Sequence, residues 1–280
     1  MQLKNEEVLS YLRRLHINKI EPPSLSFLQT IHEAHVHYIP WQTFAIFTNR
    51  KTSIHCKDCI QLLLTNQSGY CFHLNHALFH LLQALGFHVT IHRAGVHTNK
   101  KEANLDGFHV GLIVHFDEIR YLVDVGLGDM PLHPILIKEG PIQQGFTNYN
   151  LTPSLVQANA IRLTNDPSAS YLGVDYTLDE ENDFRYFYDK HNIYSDSETS
   201  PWRNLLVVKN RTASKINELK GALFTTITSR GSQQIEVTSK QMLVDILHDV
   251  FHEKLCTYSE QEIDEIWLKL QREHAKWVNS

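Results

Sequence analysis

Apolar residues recur at helical spacing through the first third of the chain. Residues 5 to 16 mix apolar and charged positions with a helical period, and a second helical segment runs from Leu25 to Val36. A third runs from Cys71 to Leu85, with Gly86 after it as a helix-ending glycine. The pattern predicts an N-terminal helical bundle.

From His88 onwards the apolar period changes to two, which is the period of a strand. The segments that carry this pattern are HVTIHRAGV, FHVGLIVHF and RYLVDVG, followed after position 155 by NAIRLT, YLGVDYT and FRYFYD. Strands this close together along the chain predict an antiparallel sheet or barrel in the middle third.

The last third mixes both patterns. A strand (LLVVK), a hairpin-like pair (ALFTTIT and QQIEVTS) and two helices, Lys240 to His252 and Glu260 to Trp277, follow the turn-rich SDSETSP. The predicted class is therefore α+β, with a helical bundle at 1–87, an antiparallel β-barrel at 88–200 and an α/β lid at 201–280.

Composition narrows the possible partners. Of the 280 residues, 42% are apolar and 20% charged, and a net charge of -5 offers no basic surface for nucleic acid. The N-terminus has no apolar signal region, and no stretch approaches the roughly 20 apolar residues that span a bilayer. We expect a cytoplasmic protein with no membrane partner and reduced cysteines; the oligomeric state stays open.

Cys71 is a candidate nucleophile. It follows a glycine-containing turn and begins an amphipathic helix, where free backbone N–H groups and the helix dipole favour the thiolate. Thiolates attack carbonyl carbon. A free cysteine is equally often a small buried hydrophobe, so its position alone leaves both interpretations open.

A histidine and a carboxylate downstream supply the rest of a catalytic set. If FHVGLIVHF and RYLVDVG form a hairpin that turns at Asp117 and Glu118, any even-length loop places His109 and Asp124 diagonally on one face. This arrangement suits a histidine that a carboxylate orients. Taken singly, each residue is more often structural, but their order with Cys71 favours catalysis.

The same residues resemble a known family. SGYCFHLN is similar to the Arg-Gly-Gly-Tyr-Cys-Phe-Glu motif around the nucleophile of arylamine N-acetyltransferases. GFHVGLIV resembles the strand that carries their histidine, and LVDVGLGDMP the segment that carries their aspartate. IHEAHVHYIPW and SPWRNLLVV give weaker matches.

The resemblance implies a ping-pong reaction with a cysteine-protease-like triad of Cys71, His109 and Asp124. Acetyl-coenzyme A would acylate the cysteine, and an aromatic amine or hydrazine would then accept the acetyl group; no metal is implied. The resemblance also implies substrate contacts at Trp41, Tyr70, Leu127 and Trp202, and coenzyme contacts at Gly126 and Gly128. The two glycines are equally consistent with a plain turn.

The chain departs from the family pattern beside the nucleophile. Gln67 and Ser68 replace the motif's arginine and first glycine, and Gln42 and Thr43 replace a glutamate and an asparagine. Because the family's arginine and glutamate are expected to pair, we expect a neutral amide pair in their place. His73, Trp41 and Leu127 are further replacements, and the last two would reshape the acceptor pocket.

Two alternatives stay open. A cysteine hydrolase or transglutaminase-like enzyme uses the same residue order, and the glutamine exchanges are compatible with a non-catalytic binding protein. Two weak metal signals are set aside: the pair Cys56 and Cys59, which has no second pair, and His76 with His80, for which the sequence indicates no third ligand.

Overall fold

A computed structural model describes residues 2–99, 102, 104–129 and 131–278 of the chain. No helix within these residues is long and apolar enough to cross a membrane. The α-helices are α1 (Asn5–Arg14), α2 (Leu25–Tyr38), α3 (Phe44–Phe47), α4 (Cys56–Leu64), α5 (Cys71–Ala84), α6 (Tyr188–Asp196), α7 (Lys240–Asp245) and α8 (Glu260–Val278). Short 3₁₀ segments at Phe184–Phe187 and Pro201–Arg203 and a π-helical segment at Ile246–Val250 complete the helical structure of these residues.

The strands form two antiparallel sheets. They are β1 (Trp41–Gln42), β2 (His88–His97), β3 (His109–Phe116), β4 (Ile119–Val123), β5 (Ile135–Leu136), β6 (Gly140–Gln144), β7 (Thr147–Pro153), β8 (Ala160–Thr164), β9 (Gly173–Glu181), β10 (Val207–Arg211), β11 (Lys215–Lys220), β12 (Leu223–Thr228) and β13 (Gly231–Glu236). The larger sheet has the order β5-β4-β3-β2-β9-β8-β7-β6, and the smaller one the order β1-β10-β11-β12-β13. The predicted α+β character with helices first is confirmed. The three domain boundaries stay a prediction.

Strand β1 joins the first part of the chain to the last. Trp41 pairs with Lys209 and Gln42 with Val208, so a segment of the helical region forms the edge of the C-terminal sheet. On the other side of Gln42, Thr43 receives a hydrogen bond from the Val207 N–H at its hydroxyl. The Gln42 N–H also donates to the Gly69 carbonyl at 2.9 Å, so β1 holds the loop that leads into α5.

The segment FRYFYD, predicted as a strand, is helical. The Asp183 carboxylate accepts a 2.7 Å hydrogen bond from the Arg185 N–H and so caps a helical turn. Phe184 and Phe187, three residues apart, then both point into the core, where they contact His76 and Phe72 respectively. A spacing of three buries two rings on one helical face, whereas a strand would place them on opposite faces.

Helix α5 lies between the bundle and the larger sheet. Its apolar side chains belong to one buried cluster with residues of α1, α2 and α4 and with Val110, Leu112 and Val114 of β3. A second cluster packs α7, α8 and the aromatic residues Phe44 and Phe47 against the smaller sheet. Helix α5 is therefore held on several sides by apolar packing.

The predicted pair of Gln42 and Gln67 does not form. The Gln42 amide donates to the Ser68 carbonyl at 2.8 Å and accepts from the Phe44 N–H, whereas the Gln67 amide donates to the Thr257 hydroxyl. Each glutamine finds a separate partner because its amide offers both donors and an acceptor to nearby backbone and hydroxyl groups.

The loop before Cys71 is instead hydrogen bonded to a buried carboxylate, that of Glu253. Glu253, only 4% exposed, accepts a 2.6 Å hydrogen bond from the Ser68 hydroxyl. Burial raises the pKa of Glu253 from 4.5 to about 7, against the opposing effects of Ser68 and Arg14. Glu253 is thus a neutral acid below about pH 7 and a buried anion above it.

We expect Glu253→Gln to flatten the dependence of stability on pH. The folded chain keeps this proton up to about pH 7, but the unfolded chain releases it near 4.5. The free energy of unfolding therefore falls as pH rises between these values, by up to about 3 kcal/mol at about 1.4 kcal/mol per pKa unit. Urea unfolding from about pH 4 to about pH 8 measures the slope.

Exposed Glu236 on β13 provides the control, since Glu236→Gln should leave the slope of the wild-type protein unchanged. A Glu253→Gln protein with the wild-type slope would mean that Glu253 ionises normally in the folded chain.

Candidate active site

The hairpin of β3 and β4 has the register expected from the sequence. Phe116 pairs with Ile119 and Leu112 with Val123, so Asp117 and Glu118 form a two-residue turn. Asp117 adopts a positive φ of 52°, as such tight hairpin turns require. His109 and Asp124 consequently lie on one face of the hairpin, and the His109 Nε2 atom is 2.6 Å from Asp124 Oδ2.

Asp124 is 2% exposed and has a hydrogen-bond donor for each of its lone pairs. Oδ1 accepts from the Asn75 amide at 2.9 Å and from the Gly126 N–H at 2.8 Å. Oδ2 accepts from His109 and from the Tyr176 hydroxyl at 2.7 Å. Burial would raise the pKa of Asp124, but His109, Asn75 and Tyr176 together hold it below the ordinary value.

Asn75 was not identified from the sequence, although it lies four residues after Cys71 on the same face of α5. Its amide nitrogen also donates to the Val110 carbonyl at 2.7 Å, and its oxygen accepts from the Val125 N–H at 3.0 Å. One side chain therefore ties the nucleophile helix to the strand of His109 and to the segment of Asp124.

Tyr176 was also missed, because it comes from the distant strand β9. Ala94 of β2 pairs with His109 on one side and with Tyr176 on the other, so the three residues form one row across the sheet. A Cβ atom on Gly111 would lie 2.5 Å from the Tyr176 ring. The glycine in the middle of β3 is the one local signal of this close approach.

Cys71 begins α5 and is 4% exposed. Cys71 and His109 line the same cavity. Burial acts to lower the pKa of His109, but Asp124 and Cys71 outweigh it and raise the pKa to about 10. The structure thus brings the three predicted residues together in one buried chain of contacts.

The two predicted coenzyme glycines both lie where a side chain would clash. A Cβ atom on Gly126 would lie 2.9 Å from the Cα of Cys71, and one on Gly128 would lie 2.1 Å from the Cβ of Lys209. The spacing of these glycines is therefore explained by close packing around Cys71 and β10. Contact with a coenzyme stays a prediction.

A cavity of about 480 Å³ opens onto Cys71 and His109. Three of the four predicted substrate residues, Trp41, Leu127 and Trp202, line it, and Trp41 and Trp202 meet edge to face at 5.7 Å between centroids. The indole N–H of Trp41 has no acceptor among the residues the structure describes. This nitrogen is itself buried.

The fourth predicted substrate residue, Tyr70, packs behind this wall. Its ring contacts Trp202 and Tyr194, its hydroxyl bonds to His191, and His73 meets it edge-on at 4.9 Å. Tyr70 thus supports two lining residues, and its contact with substrate stays a prediction.

The cavity lining also carries buried charge. The Lys209 ammonium lies 3.1 Å from Asp129 and 2.9 Å from Glu218, and it donates to the Ser170 hydroxyl. Against the effect of burial, Lys209 and Ser170 hold the pKa of Asp129 below its usual value. The cavity therefore has both aromatic and ion-paired lining, and the two meet where Trp41 pairs with Lys209.

Comparisons with known proteins agree with this architecture. A family model described as N-acetyltransferase matches residues 24–258. An uncharacterized acetyltransferase of Bacillus subtilis, YvcN, is 26% identical over 81% of this chain and 87% of its own length. An arylamine N-acetyltransferase / N-hydroxyarylamine O-acetyltransferase of Salmonella typhimurium is 27% identical over 48% of each chain.

Solved structures share the fold at low identity. The arylamine N-acetyltransferase of Salmonella typhimurium superposes with a TM-score of 0.84 at 19% identity, covering 94% of this chain and 98% of that one. An arylamine N-acetyltransferase of Bacillus cereus, described as having a unique Cys-His-Glu catalytic triad, gives 0.79 at 20% identity, with 90% and 100% covered. Because the family model matches most of this chain, the protein is an enzyme of the arylamine N-acetyltransferase family.

Proposed function

We propose that the protein transfers an acetyl group from acetyl-coenzyme A to an arylamine or hydrazine nitrogen by a ping-pong mechanism through an acetyl-Cys71 intermediate. The observation that carries the proposal is the placement of Cys71 and His109 on one cavity, with the His109 Nε2 atom 2.6 Å from the buried Asp124 carboxylate. Family membership supports acetyl transfer. The cytoplasmic location stays a prediction of the sequence.

In the first half-reaction the Cys71 proton passes to His109 and the sulfur attacks the thioester carbonyl carbon. Backbone N–H groups in the first turn of α5, which has no side-chain cap, can donate to the developing oxyanion, and the helix dipole favours its charge. The carbon–sulfur bond to the coenzyme then breaks, and His109 returns its proton to the departing thiolate. The raised pKa of His109 suits an imidazolium that Asp124 stabilises until that step.

In the second half-reaction the amine nitrogen attacks the acetyl carbon bound to Cys71. His109 takes a proton from the nitrogen and passes it to the Cys71 sulfur as the thioester bond breaks. The products are the N-acetylated acceptor and the free thiol. We propose the cysteine-protease-like geometry of the triad for both half-reactions.

The cavity wall supports an aromatic acceptor. Trp41, Trp202, Tyr194 and Phe108 line the cavity together with Cys71, and aromatic walls favour planar aromatic ligands through stacking and edge contacts. Acetyl-coenzyme A would enter from the same cavity, past Leu127 and Gly128.

Acetylation of Cys71 is the direct test. On incubation with acetyl-coenzyme A, we expect intact-protein mass spectrometry to show one acetyl increment that is absent in Cys71→Ala. The matched control is Cys256→Ser, which removes an exposed cysteine and should leave the increment unchanged. An aniline or hydrazine added afterwards should remove the increment and yield the acetylated amine.

Two results would contradict the proposal and identify its rivals. Release of acetate into water as fast as into amine would indicate a hydrolase. The absence of an acetyl-enzyme, with Cys71 reacting with iodoacetamide no faster than exposed Cys256, would indicate a binding protein on the same fold.

Loss of the Tyr176 hydroxyl should slow acylation. In Tyr176→Phe, Asp124 loses one of its donors, so we expect roughly 10-fold slower acylation, or about 1.4 kcal/mol. The acidic limb of the pH–rate profile should move to higher pH, because Tyr176 helps to hold the pKa of Asp124 down. Single-turnover kinetics measure both effects.

Tyr11→Phe is the matched control, since Tyr11 is a buried tyrosine whose hydroxyl bonds to His35 in the bundle. Equal effects of the two substitutions on the acylation rate would show that the loss reflects general destabilisation.

A further inference from the structure

A second group of reactive side chains lies on α4 and α5, outside the acyl-transfer site. Cys56 is the first residue of α4, and His76 and His80 are four residues apart on α5. One sulfur and two ring nitrogens from these residues lie within 4.8 Å of one another. The Nε2 atoms of the two histidines are 3.2 Å apart.

The orientation of His76 is fixed by its surroundings. Its Nδ1 atom is 2.7 Å from the Ile54 carbonyl oxygen, which can only accept, so Nδ1 carries the proton and Nε2 keeps its lone pair. The Phe184 ring stacks on His76 at 3.7 Å between centroids. Metal-bound histidines commonly have this arrangement, in which one ring nitrogen donates to a carbonyl and the other is left to bind the metal.

The second histidine is also held by packing. Phe79 meets the His80 ring edge-on at 5.2 Å between centroids, and His80 is 8% exposed. Cys56 is half-buried and free of any disulfide. The three ligand atoms therefore converge on a region that is shielded from bulk water but open on the side of Cys56.

We propose that Cys56, His76 and His80 bind a zinc ion, at a site separate from Cys71. Thiolate and imidazole are the ligands that zinc prefers, and two imidazole nitrogens about 3 Å apart suit adjacent positions of a tetrahedral shell with bonds of about 2.0 Å. Three protein ligands leave the fourth position to water. No carboxylate belongs to the set, which argues against calcium or magnesium.

The site would connect two helices of the bundle. Cys56 comes from α4, whereas both histidines come from α5, the helix that begins at Cys71. A bound ion would join the helices where they pack, and because the unfolded chain does not keep this geometry, binding would raise the midpoint of thermal unfolding.

Cobalt(II) is the probe for the test, because a cobalt–thiolate bond gives a near-ultraviolet charge-transfer band and tetrahedral cobalt gives intense visible bands. The full-length protein, treated with a chelator and then desalted, is titrated with cobalt(II) and back-titrated with zinc(II). We expect both bands to saturate at one equivalent and to disappear on addition of zinc.

The variants are Cys56→Ser and His80→Gln, with Cys256→Ser and Cys71→Ser as matched controls. We expect the charge-transfer band to disappear in Cys56→Ser and cobalt affinity to fall at least ~10-fold in His80→Gln. Both controls should keep the wild-type spectrum. Circular dichroism checks that each variant is folded, and either of the two ligand variants alone suffices for the test.

Three results would overturn the proposal. They are the absence of any band in the wild-type protein, a charge-transfer band that persists in Cys56→Ser, and a band that is lost in Cys71→Ser. The first would mean that the two histidines are only hydrogen bonded to each other, and the last would mean that the metal binds at the nucleophile.

Discussion

The buried carboxylate of Asp124 is the contact on which the site depends. An ionised carboxylate this far from water is strongly unfavourable unless its lone pairs are satisfied, and here four donors satisfy them, one from the adjacent Gly126 and three from separate parts of the chain. Asn75 comes from the nucleophile helix, His109 from β3 and Tyr176 from β9. Satisfying one charge therefore assembles the helix and the two strands in a single geometry.

The loop before Cys71 shows how the fold accommodates altered neighbours. The glutamines at 42 and 67 bond separately to backbone and hydroxyl groups, and the carboxylate beside the loop comes from Glu253, far along the chain. Because Ser68 donates to that carboxylate, the loop is linked to the C-terminal region through a group that titrates near neutral pH. The geometry around Cys71 is thus kept by different contacts from those expected.

The placement of His109 beside Asp124 could be predicted because its constraints are local. Strand alternation and the parity of a two-residue turn fix the relative faces of His109 and Asp124 without reference to the rest of the fold. Tyr176 could not be predicted, because its position depends on β9 pairing with β2 past a bulge between His92 and Ala94. FRYFYD was misjudged because aromatic residues favour strands on average, whereas the Asp183 cap and the buried aromatic neighbours favour a helical turn here.

The proposed zinc ligands illustrate the same limit on a different face of α5. His76 and His80 share a face because they are four residues apart, but Cys56 joins them only through the packing of α4 on α5, which no local pattern encodes. Asn75 and His76 are adjacent and therefore project about 100° apart around the helix axis, one toward the sheet and the other toward α4. One helix can thus present the proposed acyl-transfer residues on one face and the proposed metal ligands on another, because successive residues of an α-helix project in different directions.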